Sequence, residues 1–383
     1  MNKSLSPIKA YFALADEGIN HPAAWFGTVW FTLVVWMIAQ IIIAVPMIAG
    51  IMMVDPDFLD KMPEVTGTTN MPSYIMPGFV ASSAIAITLF LAKRSFKAAL
   101  QHRIIGTALI SALLSTVFFI MLMQNNDAEA NAFLLNYIGQ SPLVYGSMLL
   151  VFPIVCGGLF LGQRFIHERS IKSMLTAADK FRWGRLLFSM VVFWAVAAGL
   201  TIIAHITDQS RAEYVFDSSR FLPFFIISLL LIPLQSATEE IVLRGYLNQG
   251  LFRLIKTPWI VFLITSAGFA ALHLGNPEID AGAANGTKWL TLSSYFFFGI
   301  FACLLTYIDG GLETAIGVHA ANNLYAAVIL GYDNSALPTP TVFKIGLNAN
   351  VDSYMTIIGL ALVCLIMYLT RDKALSKVSV ISQ

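Results

Sequence analysis

The chain has 383 residues, of which 57% are hydrophobic and only 12% charged, and its mean hydropathy is +0.73. Soluble domains are about 45–50% apolar and about 25% charged, so this chain lacks the charge to cover a water-facing surface. Its formal net charge of +1 leaves no basic excess to neutralise a phosphate backbone, which argues against nucleic acid as a partner. Cys156, Cys303 and Cys364 lie inside apolar runs with neither metal-type nor disulfide-type spacing, and read as small core residues. What composition leaves is an all-α, polytopic integral membrane helical bundle, with the lipid bilayer as its first partner.

A helix needs roughly 20 mostly apolar residues to cross a bilayer core. In chain order the expected spans are 24–54, 75–92, 104–123, 143–162, 186–205, 221–243, 258–275, 290–307, 311–331 and 354–370, about ten transmembrane helices. The first contains Pro46 and is too long for a signal-peptide core, so it reads as a retained span. Lys and Arg alternate between loops. They gather at Lys3 and Lys9, Lys93 to Arg103, Arg164 to Arg185, Arg244 to Lys256 and Arg371 to Lys377, while the intervening loops keep only Lys61, Arg211, Arg220, Lys288 and Lys344. Cytoplasmic loops carry the basic excess, so both termini are expected in the cytoplasm, in a prokaryotic plasma (inner) membrane. The basic stretch 163–185 reads as a cytoplasmic surface helix. It divides an N-terminal region, 1–185, of unassigned role from a C-terminal region, 186–383.

Ionisable side chains inside spans are costly and by default point to function. Here they cluster in the C-terminal region: Glu239 and Glu240 in LIPLQSATEEIVLRGYL, His273 in ITSAGFAALHLG, and His319, Asn322 and Asn323 in ETAIGVHAANNLYAAV. Adjacent glutamates on a helix point about 100° apart and need different partners. Glu240 has Arg244 at i+4 and can neutralise itself there, whereas Glu239 has no intrahelical cation. Pro233 upstream is expected to loosen the helix near Glu239. Phe269 and His273 share a face at i, i+4, and His319 and Asn323 share another; Asn322 reads as an interhelical hydrogen bonder. Glu239 and His273 lie equally far in sequence from Lys256, so a tight turn there brings them to one depth on neighbouring antiparallel helices. Seventeen helical residues rise about 26 Å, which sets both side chains toward the leaflet away from that turn.

One carboxylate, two imidazoles and an amide on three helices suit the activation of water. A glutamate serves as general base with His273, and His319 with Asn323 faces the developing negative charge. The same Glu239, His273 and His319 are also the candidate ligands if the site holds a metal, with Zn²⁺ the cofactor of choice, although no HExxH motif is present. Buried Glu and His equally mark ion pathways, so a transporter or proton relay is the alternative class, and a non-catalytic membrane scaffold a third.

EEIVLRGYL fits an EExxxR motif, FAALH fits FxxxH and HAANN fits HxxxN. In this order and spacing the segment 220–331 resembles the CPBP family of intramembrane proteases, which includes CAAX prenyl endopeptidases of the Rce1 type and bacterial Abi and bacteriocin-processing relatives. The resemblance implies an endopeptidase that cuts a membrane-associated protein or peptide. It implies that Glu239 activates water together with His273, that His319 and Asn323 form the oxyanion site, and that Glu240, Arg244 and Phe269 support the motif structurally. The family is called metalloprotease, and the same constellation also reads as a metal-free glutamate protease.

Overall fold

In lipid every backbone N–H and C=O must find its partner within the protein, and apolar runs of this length satisfy theirs as helices. The computed structural model describes residues 6–61, 75–92, 107, 108, 110, 111, 114, 136–208, 211–332, 335–346 and 349–371. These are almost wholly helical. After a short helix α1 (Pro7–Ala13) come α2 (Pro22–Met52), α3 (Ile75–Ala92), α4 (Pro142–Phe165), α5 (Trp183–Ile206) and α6 (Ser218–Glu240). A π-helical segment, Ile241–Leu247, continues α6 into α7 (Asn248–Ile255). Then follow α8 (Pro258–Leu272), α9 (Pro277–Ala284), α10 (Lys288–Asp309), α11 (Glu313–Leu324) and α12 (Ala349–Leu369). A small sheet joins β1 (Glu213–Tyr214), β2 (Leu330–Tyr332) and β3 (Phe343–Ile345) in the order β1-β3-β2.

Among the described residues six helices are long and apolar enough to span a membrane, or seven when α8 and α9 count as one broken span. About ten spans are thus not confirmed among the described residues. The expected span 104–123 lies outside the described residues apart from a few helical positions, as do Lys93, Arg94, Lys97 and Arg103. The segment 258–275 is not one straight helix: α8 stops at Leu272, and the chain bends by 83° into α9. The segment 311–331 departs furthest. Its α-helix has 12 residues, followed by a five-residue π-helical turn, Tyr325–Ile329. Residues 313–321 are all buried, against α5, α6 and α10. Hydropathy does not separate a helix wrapped by protein from one wrapped by lipid.

Ion pairs hold the start of α11. The Arg182 guanidinium is bidentate on Glu313, with Nε to Oε1 at 3.0 Å and Nη2 to Oε2 at 2.8 Å. Arg185 grips Asp309 in the same way, at 2.8 and 3.0 Å, and its Nη2 also reaches the Met367 carbonyl at 2.6 Å. Gly310, at φ 60°, makes the left-handed turn that ends α10 and lets α11 begin. Further along, Trp194 Nε1 donates to the Ala321 carbonyl at 2.8 Å and ties α5 to the middle of this helix. At Gly317 the two helices approach so closely that an added Cβ would lie 2.1 Å from Ser189 Oγ and 2.4 Å from the Leu186 carbonyl.

The stretch 163–185 is not a surface helix. Beyond α4 it holds a single helical turn, Lys172–Leu175, and it buries His167, Arg169 and Ser173. Polar partners inside the protein explain this. Arg169 Nη2 donates to Gln249 Oε1 at 2.8 Å, and Gln249 Nε2 donates to the Ser173 carbonyl at 2.8 Å. His167 Nδ1 donates to the Ile19 carbonyl at 2.7 Å, and its Nε2 meets the Tyr246 hydroxyl at 2.7 Å. The first helix joins this cluster through Phe12, which stacks on Phe252 of α7 with centroids 4.2 Å apart. The N-terminal segment is thus seated on the far end of the helix that carries both glutamates. Cys156 and Cys303 are buried free thiols, in keeping with core residues.

Two outcomes follow from this packing. Burial pushes the His167 imidazole down to about 4, only partly offset by its bond to the Ile19 carbonyl. The unfolded chain takes up a proton near pH 6.5 that the folded chain refuses, so stability is complete above about pH 6.5 and falls by roughly 3 kcal/mol as pH drops toward 4. Thermal unfolding in detergent at pH 7.5, 5.5 and 4.5 measures this slope, and H167N flattens it. Gly317→Ala forces a methyl group onto backbone that cannot retreat and costs about 1–3 kcal/mol, read as a lower unfolding temperature at neutral pH.

Candidate active site

The glutamates sit where α6 gives way to a wider turn. The helix runs through Pro223 and Pro233 as α-helix, so the expected loosening at Pro233 occurs instead at Ile241–Leu247, immediately after Glu240. Such π-helical insertions widen the spacing of side chains and recur at functional sites. Glu240 is fully buried and its Oε1 accepts two bonds, from Arg244 Nη1 at 3.1 Å and from His319 Nδ1 at 2.7 Å. Arg244, also fully buried, donates through Nη2 to the Gly299 carbonyl of α10 at 3.2 Å. Its guanidinium carbon lies 4.7 Å from the centroid of the Phe269 ring on α8. The three motifs are therefore joined by one ion cluster: the arginine of the first touches the aromatic ring of the second, and its second glutamate holds the histidine of the third.

Glu239 faces the other way, toward a chamber of about 1340 Å³ whose walls include Gln235, Glu239, His273, Tyr295, His319 and Asn323. Its Oε2 lies 3.8 Å from His319 Nε2, while its Oε1 accepts a hydrogen bond from Gln235 Nε2. Gln235 Oε1 in turn accepts from Asn323 Nδ2 at 3.0 Å, and Asn323 Oδ1 accepts from Asn322 Nδ2 at 3.0 Å. Gln235, one turn before Glu239, is thus the bridge between acid and amide. Its i−4 spacing from Glu239 is the signal of that role in the sequence, where the three motifs do not include it.

His273 follows α8 directly, at the bend. Its Nδ1 donates to the Phe269 carbonyl at 2.7 Å, which leaves Nε2 as the acceptor of the neutral ring. The ring lies between Phe269, with centroids 4.4 Å apart, and Tyr295 of α10 at 4.3 Å. His319 is fixed in the same sense. Its Nδ1 donates to Glu240, so Nε2 carries a hydrogen only when the ring is an imidazolium. The chamber wall therefore presents a carboxylate, two imidazole Nε2 atoms and a carboxamide.

These positions bear on a metal as follows. Each Nε2 has its ring oriented from the Nδ1 side, as metal-bound histidines do. Yet among the described residues no three His, Cys, Asp or Glu side chains come together closely enough to hold an ion. The grouping of Glu239, His273 and His319 as Zn²⁺ ligands does not form in this arrangement.

Residues 218–325 match the family model described as type II CAAX prenyl endopeptidase, Rce1-like. This segment holds all three motifs, and the family is one of CAAX-type intramembrane proteases. The chain is also 29% identical over 198 residues to the uncharacterized protein YyaK of Bacillus subtilis (strain 168). That alignment takes in 51% of this chain and 64% of the relative, so the chain spans a little under two thirds of the curated relative it matches. No solved structure matches the chain.

Removing Arg244 leaves Glu240 charged in the interior with an imidazole as its remaining partner. Arg244→Met is expected to cost about 3–5 kcal/mol, and the double variant E240Q/R244M recovers part of it by removing both charges. Thermal unfolding of the three purified proteins gives the comparison.

Proposed function

We propose that this Rce1-like integral membrane protein is an intramembrane endopeptidase that hydrolyses a peptide bond of a membrane-associated protein or peptide with water activated by Glu239. The observation that carries the reading is the chamber wall itself. Glu239, the one motif carboxylate not consumed by Arg244, lies 3.8 Å from His319 Nε2 and shares the chamber wall with His273, and both histidines have Nδ1 already bonded behind them.

In the proposed step a water held between Glu239 and His273 Nε2 gives a proton to the Glu239 carboxylate, and its oxygen bonds to the scissile carbonyl carbon. The carbonyl oxygen takes up the negative charge facing His319, which donates from Nε2 as an imidazolium backed by Glu240, and the Asn323 amide. In the resting site Asn323 Nδ2 donates to Gln235 Oε1 at 3.0 Å and to Ser236 Oγ at 3.4 Å, so the N–H that turns to the oxyanion is the one that gives up the longer bond. Glu239 then passes its proton to the leaving nitrogen, the C–N bond breaks, and a carboxylic acid and an amine depart. Holding these groups in a water-poor chamber strengthens each of their interactions.

Location is part of the same proposal: a prokaryotic plasma membrane with both termini cytoplasmic, supported by the alternation of Lys and Arg between loops and by the bacterial source of the relative.

Glu239→Gln keeps the size of the side chain and abolishes the base. Cleavage of a fluorogenic prenylated CAAX peptide, together with peptides released from cells expressing each form, should fall by about 10³-fold or more. The protein should still insert and unfold at the wild-type temperature. Undiminished cleavage by E239Q removes the mechanism.

A further inference from the structure

We propose that Tyr295, anchored by Glu278 and Asn276, is a positioning residue that fixes the ring of His273. The proposal rests on the peptidase reading above, in which His273 Nε2 accepts a hydrogen bond from the attacking water. His273 stands past the last turn of α8, and the only hydrogen bond that its ring makes among the described residues is from Nδ1 to the Phe269 carbonyl. A single bond at one edge leaves an imidazole free to pivot about that contact. Tyr295 removes the pivot by lying nearly flat on the ring, with centroids 4.3 Å apart and planes 24° from parallel.

Tyr295 is itself pinned. Its hydroxyl donates to Glu278 Oε1 and accepts from Asn276 Nδ2 at 3.0 Å. Asn276 also closes the bend, because its backbone N–H donates to the His273 carbonyl at 3.0 Å. Histidine, asparagine, glutamate and tyrosine thus form a closed loop of contacts across the 83° break between α8 and α9. Glu278 is the unusual member. It is 6% exposed, and among the described residues its Oε2 is buried without a partner. Glu278 also lines the chamber, and its bonded oxygen acts there through Tyr295. A half-satisfied buried carboxylate detracts from stability, so packing alone would favour an apolar side chain here.

The test separates ring, hydroxyl and charge. With the full-length protein and the same fluorogenic peptide, Y295L should lower kcat by about 10²-fold while KM stays within about twofold, because a misplaced catalytic group costs turnover rather than binding. Y295F keeps the ring but loses both anchors, and should fall about tenfold. E278Q still accepts the tyrosine hydroxyl, so it should stay within about threefold of wild type and unfold at the same temperature or higher. Nitrogen-15 spectra of labelled histidines, with His273 assigned by its loss in H273N, should show sharp Nδ1–H tautomer signals in wild type, and in Y295L the same tautomer with the His273 signals shifted and broadened by motion of the ring about its bond to the Phe269 carbonyl. A Y295L kcat within twofold of wild type, or unchanged His273 signals, overturns the clamp. Should the wild type cleave no peptide, the peptidase reading is what fails, and the spectra still decide the clamp; should Y295L not fold, Y295F carries both readouts.

Discussion

Glu240 Oε1 sits in the protein interior with a guanidinium at 3.1 Å and an imidazole at 2.7 Å, and the geometry of the site follows from those contacts. A lone carboxylate at this depth is not tolerated as an ion, whereas one matched by Arg244 and hydrogen-bonded to His319 is. Arg244 extends the same cluster to α10 through the Gly299 carbonyl and to α8 through Phe269. Charge compensation at one residue thereby sets the mutual placement of α6, α8, α10 and α11, and with it the direction in which His319 presents Nε2.

The two adjacent glutamates show how a helix assigns opposite duties to chemically identical neighbours. Glu240 turns inward and is spent on structure; Glu239 turns toward the chamber and keeps its oxygens for Gln235 and for what enters. The π-helical turn that begins at Ile241 lets Arg244 reach back to Glu240 and still contact two other helices. Swapping the order of roles would require a different helix phase, because neighbouring positions differ by about 100°.

Much of this was legible in the residues. The Glu240–Arg244 pair follows from i, i+4 spacing, and the chamber does gather Glu239, His273, His319 and Asn323 from three helical segments. What was not legible depends on contacts between distant segments. Nothing in the spacing of His319 says that its Nδ1 will be taken by Glu240, and Tyr295 lies in an aromatic run where every ring reads as core. Two of the expected spans differ for a related reason. Apolar runs at 258–275 and 311–331 satisfy a hydropathy window, but the first bends by 83° after Leu272 and the second buries residues 313–321 in protein. Arg169, Arg182 and Arg185 likewise look like solvated loop charges until Gln249, Glu313 and Asp309 are seen opposite them.

The shortness of α11 has a bearing on biogenesis. Twelve residues opening with a carboxylate make too brief and too polar a segment to be threaded into lipid as an independent unit. It reaches its place only when α5, α6 and α10 already offer a protein surface and Arg182 is there to receive Glu313. The imidazole it carries meets Glu240 and Glu239 only where those helices are packed together, so the chamber wall belongs to the assembled tertiary structure and to no single inserted segment.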